Sequence, residues 1–298
     1  MSEPSLEPLP EGIAERFDLE LPAHGQRLAG GASGSVFRAG RFAVRVERAS
    51  PESVRWEHDL VRFLAEEIEE VVAPLRAADG STFYADEGRI VSVFPFIEGD
   101  SLRGREAAFR DELPVLLARL HRRALAWPVG EQRVDVPAMR ERDWDRNDWW
   151  DWAIVDKSPP LVRAFVELRE WVANTDGLSV CPIHGDFHAG NLLTRDGRIV
   201  AIVDWQFARR DWPAFELASV AWNLAWDEES DALDTAAREA AIAAYVAAGG
   251  PGEPDVLLPM ARLETLVTVL FSLTRAARGL SWNPDFTALL LAKLDDLA

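Results

Sequence analysis

The chain has 298 residues, 48% of them hydrophobic, with 14 Phe and 12 Trp, which is enough for one large domain or two lobes and too apolar for disorder. Its net charge of −18, from 50 acidic against 32 basic residues, lacks the basic footprint that a nucleic-acid partner demands, whereas a cationic small molecule would be drawn to it. Cys181 alone supports neither a disulfide framework nor a cysteine-based zinc site, and an acidic, Pro-rich start with apolar stretches broken by charges implies a soluble, cytoplasmic protein with no membrane span or partner membrane.

Taken in chain order, the first third reads as strands around one main helix. Gln26–Gly30 leads into the glycine-rich turn Gly30-Gly31-Ala32-Ser33-Gly34, and Ser35–Arg38 with Arg41–Glu47 form a hairpin turned at Ala39-Gly40. Ser50-Pro51-Glu52 is a helix start: a capping hydroxyl, a proline at the first helical position and an acid in the first turn. That helix is expected to run to about Glu70 with Val54, Leu60, Leu64 and Ile68 facing inward. Thr82–Ala85 and Arg89–Phe96 make a second hairpin across Asp86-Glu87-Gly88, and Phe96–Gly99 is a linker.

Helical patterns dominate from Ser101 onward. Leu113, Leu116, Leu117 and Leu120 are helically spaced, as are Leu161, Phe165, Leu168 and Val172. One small hairpin interrupts them: Asn191–Leu193, the turn Arg195-Asp196-Gly197 and Ile199–Val203. Helices resume near Trp212. The expectation is an α+β fold with a small β-rich lobe, residues 1–99, and a larger helical lobe, residues 100–298.

The densest chemistry lies in Ile183-His184-Gly185-Asp186-Phe187-His188-Ala189-Gly190-Asn191, with Asp204 thirteen residues further on at the end of an apolar run. Phosphoryl transfer needs a carboxylate to orient and deprotonate an acceptor hydroxyl, and oxygen ligands for Mg²⁺ bridging nucleotide phosphates. Asp186 suits the first task; Asn191 and Asp204, joined by the short hairpin, suit the second. A metal-dependent hydrolase built on His184, Asp186 and His188 would need further ligands that the five histidines do not readily supply.

His-Gly-Asp-x-x-x-x-Asn followed by an apolar strand ending in Asp resembles the aminoglycoside-phosphotransferase and choline-kinase branch of the protein-kinase-like fold. The resemblance implies a bilobal fold and transfer of the γ-phosphoryl group of ATP or GTP to a hydroxyl on a small molecule, such as a cationic antibiotic, choline, homoserine or a sugar. It implies Asp186 as catalytic base, Asn191 and Asp204 as Mg²⁺ ligands and His184 as a brace of the loop. It also implies nucleotide contacts from Phe96 and Ile97 at the hinge, and a structural role for His121. No Asp-Phe-Gly follows the apolar strand, which disfavours a protein kinase. A non-catalytic, pseudokinase-like module is disfavoured because Asp186, Asn191 and Asp204 are all present.

Upstream, Gly31, Ser33, Gly34 and Ser35 can cover phosphates with backbone N–H groups. No lysine precedes Lys157, so the cation expected on the strand Phe42–Val46 is Arg45. Glu57 falls on the apolar stripe of the next helix, where a carboxylate is costly unless paired, and it is therefore assigned to Arg45. In Arg142–Trp152, carboxylates alternate with indoles. A helix there would align Trp144, Asp148 and Trp152, and Asp148, Trp149 and Trp152 are candidate acceptor contacts by ion pairing or cation–π attraction. Glu264 and the acidic run Asp227–Asp231 are weaker candidates.

Overall fold

The computed structural model describes residues 6–28, 34–227, 232–280 and 283–296. In chain order the elements are β1 (Leu6–Pro8), α1 (Ile13–Phe17), β2 (His24–Arg27), β3 (Gly34–Ala39), β4 (Phe42–Glu47), α2 (Pro51–Ala65), β5 (Phe83–Asp86), β6 (Arg89–Pro95) and β7 (Asp100–Ser101). They continue with α3 (Glu112–Leu125), α4 (Pro159–Asn174), β8 (Cys181–Ile183), β9 (Leu192–Arg195), β10 (Arg198–Ile202) and β11 (Arg209–Asp211). Four helices complete the chain: α5 (Pro213–Ala225), α6 (Thr235–Ala247), α7 (Leu257–Ala277) and α8 (Pro284–Asp296). The chain divides into two compact units. The first comprises Met1–Gly104, Val129–Asp135 and His188–Ala208; the second comprises Arg105–Pro128, Val136–Phe187 and Arg209–Ala298. A cut at residue 99 follows chain order, but the units are mosaics, because the β9–β10 hairpin pairs with β7 in the first unit.

The first unit is built on a six-stranded sheet of order β1-β2-β3-β4-β6-β5. Strict alternation in β4 sends Phe42, Val44 and Val46 to one face, where Phe37, Val91, Val93 and the α1 residues Ile13 and Phe17 complete a core. Ala43, Arg45 and Glu47 go to the other face. The β5–β6 and β9–β10 hairpins close through two-residue loops whose residues are left-handed, Glu87 and Gly88 at φ 48° and 76°, Asp196 and Gly197 at φ 51° and 75°. Such loops match the twist of the flanking strands.

Helix α2 begins as the sequence predicts: Ser50 Oγ accepts from Ser53 N at 3.1 Å and Pro51 is its first residue. It stops at Ala65, short of the expected Glu70. Glu66, Glu67, Glu69 and Glu70 follow, and acids are disfavoured at the negative end of a helix dipole. Ile68 is nonetheless buried, and Ile202 N donates to Glu70 O beside a Val71–Ile202 bridge, which ties the end of this segment to β10.

The second unit is helical. The predicted stripes of α3 and α4 are buried as expected, and a short antiparallel ladder sets Arg209, Arg210 and Asp211 of β11 opposite Ile183, Pro182 and Cys181 of β8. Two expectations fail here. Residues 143–153 form no helix. Asp143 Oδ1 accepts from Asp145 N and Arg146 N, and Asn147 Oδ1 from Trp149 N and Trp150 N, so side chains take the backbone donors that a helix would need. Trp144, Asp148 and Trp152 consequently share no helical face.

The apolar stretches are also not all short. Pro254–Ala277 is long and apolar enough to cross a membrane by length and composition, with mean hydropathy 1.7. In this fold Leu257, Met260, Leu263, Leu266, Val269 and Leu270 are buried, and α7 packs against α4, α5 and α8. A core helix gives the same hydropathy signal.

Candidate active site

In the first unit, β4 projects Arg45 from the face opposite the α1 core. Its Nη1 lies 2.7 Å from Glu57 Oε1 and its Nη2 2.7 Å from Glu47 Oε1. Glu57 is 1% exposed on α2 and meets a second guanidinium, Arg133 Nη1, at 3.4 Å. Burial opposes the charge of Arg45, but Glu57 and Glu47 outweigh it and hold its pKa above the ordinary value. Burial likewise opposes the charge of Glu57, yet Arg45 and Arg133 keep this carboxyl below its usual range. Glu47 is pushed up by burial and by the negative Glu57, against the pull of Arg45. His58 lies 3.3 Å from Arg45 Nη2, and its Nδ1 is 2.8 Å from Thr82 Oγ1. Burial, then the Arg45 charge, drives the His58 pKa down to about 3, so this ring is neutral at pH 7.

Arg133 was not singled out by its sequence neighbourhood. It is buried, donating through Nε to Ser53 Oγ at 2.5 Å and through Nη1 to Gln206 O at 2.8 Å. It therefore links α2 to the backbone just past Asp204. Asp204 is a non-glycine residue in the left-handed region, at φ 66° and ψ 63°, and its charge is felt at Arg45. Val203 N donates to Asn191 O at 2.9 Å, which brings Asn191 beside the residue preceding Asp204. One amide and one carboxylate are a suitable protein share for Mg²⁺, which keeps several waters and takes phosphate oxygens. Among the described residues no group of three His, Cys, Asp or Glu could hold an ion, so Asn191 and Asp204 would need ligands from outside that set to complete a metal site.

Gly31 and Ser33 lie outside the described residues. Gly34 and Ser35 begin β3 opposite Glu47 and Val46, and a Cβ on Gly34 would meet Val46 O at 2.6 Å, so only glycine fits. Strand register places Val36, Ala43 and Phe94, all half-buried, on the Arg45 face, an apolar surface that the sequence reading did not pick out. Phe96 N donates to Arg41 O at 2.9 Å and its ring lies under Arg38, 4.3 Å from the guanidinium carbon. Ile97 lines a separate cleft of about 450 Å³ with Val71, Leu75, Pro95 and Val200.

In the second unit, β8 delivers His184, Gly185 and Asp186. His184 is fully buried and its Nδ1 accepts from Asp186 N at 3.3 Å. Asp186 itself is half-buried. Glu216 of α5, 2% exposed, accepts from His184 N at 3.2 Å and from Gly185 N at 2.5 Å. Its Oε2 lies 2.8 Å from His121 Nε2, and His121 Nδ1 lies 2.8 Å from Tyr245 OH. Glu216 Oε2 accepts from His121 Nε2, and the Tyr245 oxygen that faces Nδ1 accepts from Gly252 N at 3.0 Å. Burial opposes the Glu216 charge, but the His121 hydrogen bond together with His184 and the Gly185 N–H outweighs it, leaving the carboxyl below its usual range. A buried carboxylate thus anchors the turn before Asp186. Its sequence signal was a lone Glu inside the apolar run Pro213–Val220.

The acceptor candidates have different surroundings. Asp148 is exposed. The Trp149 ring has Arg142 over it at 3.5 Å and Arg209 at 5.2 Å. Trp152 stacks on Phe165 at 3.8 Å, with Lys157 Nζ 5.1 Å from its centroid. Glu264 is half-buried and accepts from Thr268 Oγ1 at 3.3 Å. Residues 228–231 of the acidic run lie outside the described residues.

A homoserine kinase of Caulobacter sp. (strain K31) is 28% identical over 94% of this chain and 88% of its own. Another, from Phenylobacterium zucineum (strain HLK1), is 27% identical over 78% and 73%. Among solved structures, the amicoumacin kinase hAmiN in complex with AMP-PNP, Ca²⁺ and Ami matches with a TM-score of 0.72 and 15% identity, covering 95% of this chain and 91% of that one. Spectinomycin phosphotransferase APH(9)-Ia with ADP and spectinomycin gives 0.67 and 12%, covering 97% and 95%. These neighbours share the protein-kinase-like fold of a β-sheet N-terminal part and a helical C-terminal part. The sequence model of the phosphotransferase enzyme family, APH, matches residues 24–259, and the chain belongs to that family.

Proposed function

We propose that this phosphotransferase moves the γ-phosphoryl group of Mg²⁺-bound ATP or GTP to a hydroxyl of a small metabolite. The observation that carries the reading is the buried Arg45–Glu57 pair at 2.7 Å, on the sheet face that also holds Val36, Ala43 and Phe94. A cation fixed by a carboxylate beside an apolar surface is what binding a nucleotide's phosphates and base requires. Mg²⁺, when bound, neutralises developing phosphate charge, and Asn191 and Asp204 are the residues to hold it. Arg45 binds phosphate oxygens. Asp186 accepts the proton of the acceptor hydroxyl, while His184 and Glu216 fix its loop. The Phe96 N–H is already donated to Arg41 O and is not open to the base.

For the acceptor, the homoserine kinases, similar along most of the chain, favour a small amino-acid alcohol. The antibiotic kinases share the fold at much lower identity. The Trp149 face is covered by arginine, which disfavours a cationic antibiotic held there. The activity is assigned to the cytoplasm, where the nucleotide is supplied. Release of ADP from Mg-ATP, measured against homoserine, choline, sugars, aminoglycosides and amicoumacin, tests the reading. Release above background with homoserine or a like alcohol supports it; release only with the antibiotics would move the acceptor assignment to them.

A further inference from the structure

Arg142, 6% exposed, is a buried cation on which Asp211 and Asp148 act without outweighing its burial and the Arg209 charge. Its Nε and Nη2 are buried without a hydrogen-bond partner among the described residues. The neighbouring carboxylate, Asp211, is already committed: its Oδ2 accepts from Arg209 Nε at 2.7 Å and Met139 N at 3.1 Å, and its Oδ1 from Trp212 N at 3.0 Å. Asp148 is exposed and acts on Arg142 only through space. Trp149 offers its ring at 3.5 Å, and Arg209, fully buried, adds a second positive charge nearby. Burial and the Arg209 charge press the Arg142 pKa down to about 9, a measure of how poorly the site balances its own charge.

A buried guanidinium is costly without an anion. The Nε–Nη2 edge of arginine presents two parallel N–H groups, the fork that a carboxylate fills bidentately. Arg209 is in register with Ile183, which precedes Asp186 by three residues. Because the whole chain carries −18, an anionic ligand gains nothing from the long-range field and needs such a dedicated local cation.

We infer that Arg142, backed by Arg209 and Trp149, is the subsite for the carboxylate of the acceptor, so that the substrate is a hydroxylated carboxylic acid. This rests on the kinase reading for the hydroxyl end only; the carboxylate end is tested by binding without turnover. The experiment is calorimetric titration of the full chain with L-homoserine and L-serine. Their decarboxylated counterparts, 3-amino-1-propanol and ethanolamine, and sodium phosphate and chloride, serve as comparisons.

The expected result is that the acids bind at least tenfold more tightly than the amino alcohols, and that Arg142→Met removes the difference while Arg142→Lys keeps part of it. Unchanged ATP binding shows that each variant is folded. Equal binding of acids and amino alcohols would overturn the subsite, as would acid binding undiminished in Arg142→Met. Phosphate or chloride binding through Arg142 that the acids do not displace would also overturn it. If the acids bind through Arg142 but never accept phosphoryl from ATP, the subsite stands and the kinase reading falls. If only acceptors lacking a carboxylate are phosphorylated, the reverse holds.

Discussion

A carboxylate on the apolar stripe of a helix is tolerable only when a cation meets it, and Glu57 meets two, Arg45 at 2.7 Å and Arg133 at 3.4 Å. Glu57→Gln leaves both guanidiniums short of a buried partner. It is expected to cost about 3 kcal/mol in denaturant unfolding, the scale for breaking a buried pair, and to raise the nucleotide KM by more than it lowers kcat. An unchanged KM would show that Arg45 is placed without it. His58 supplies a pH signature. Its folded pKa of about 3 lies below the ordinary 6.5, so the unfolded chain binds the extra proton across that window. Its contribution to stability is complete above pH 6.5 and is lost progressively as pH falls toward 3. Glu57, also depressed, adds a loss below its ordinary 4.5. Melting temperature should therefore fall between pH 6.5 and 4, and His58→Gln should flatten that slope. The Arg45–Glu57 pair was legible because stripe position and charge are both sequence properties. Arg133 and Glu47 were not, because their role depends on where a loop and a strand face are placed in three dimensions.

At the scale of elements, periodicity served where side chains do not compete with the backbone. The stripes of α2, α3 and α4 and the hairpins turned at Gly40, Gly88 and Gly197 are as the sequence implies. It misled in residues 143–153, where Asp143 and Asn147 capture backbone N–H groups and hold Trp149 and Trp150 in a turn. Asn147→Ala removes two such acceptors and is expected to destabilise by about 1–2 kcal/mol. It should also shift the intrinsic tryptophan fluorescence of the native protein. A native spectrum identical to the wild type would mean that the turn is held by packing alone. The α2 end shows the limit differently: four acids near a helix C-terminus end the helix at Ala65, although the inward stripe continues through Ile68.

At the scale of the molecule, the β-rich and helical parts were readable from the change of period, because each period reflects which face is buried. The mosaic assignment of 129–135 and 188–208 to the first unit was not, since it depends on long-range pairing of β9 with β7 and on Arg133 reaching α2. The proposed reaction motif could be picked out for a physical reason: Asp186, Asn191 and Asp204 lie on one short stretch of chain, whereas Glu216 and Arg133, which hydrogen-bond to Gly185 N and Gln206 O beside them, come from elsewhere. The most direct test of the account pairs Mg-ATP binding with phosphoryl transfer in wild type and Asp186→Asn, following the phosphorylated acceptor by mass spectrometry. The account predicts unchanged nucleotide affinity and a loss of kcat of about 10²–10⁴-fold. Transfer at the wild-type rate by Asp186→Asn, or no binding of ATP or GTP by the wild type, would contradict it.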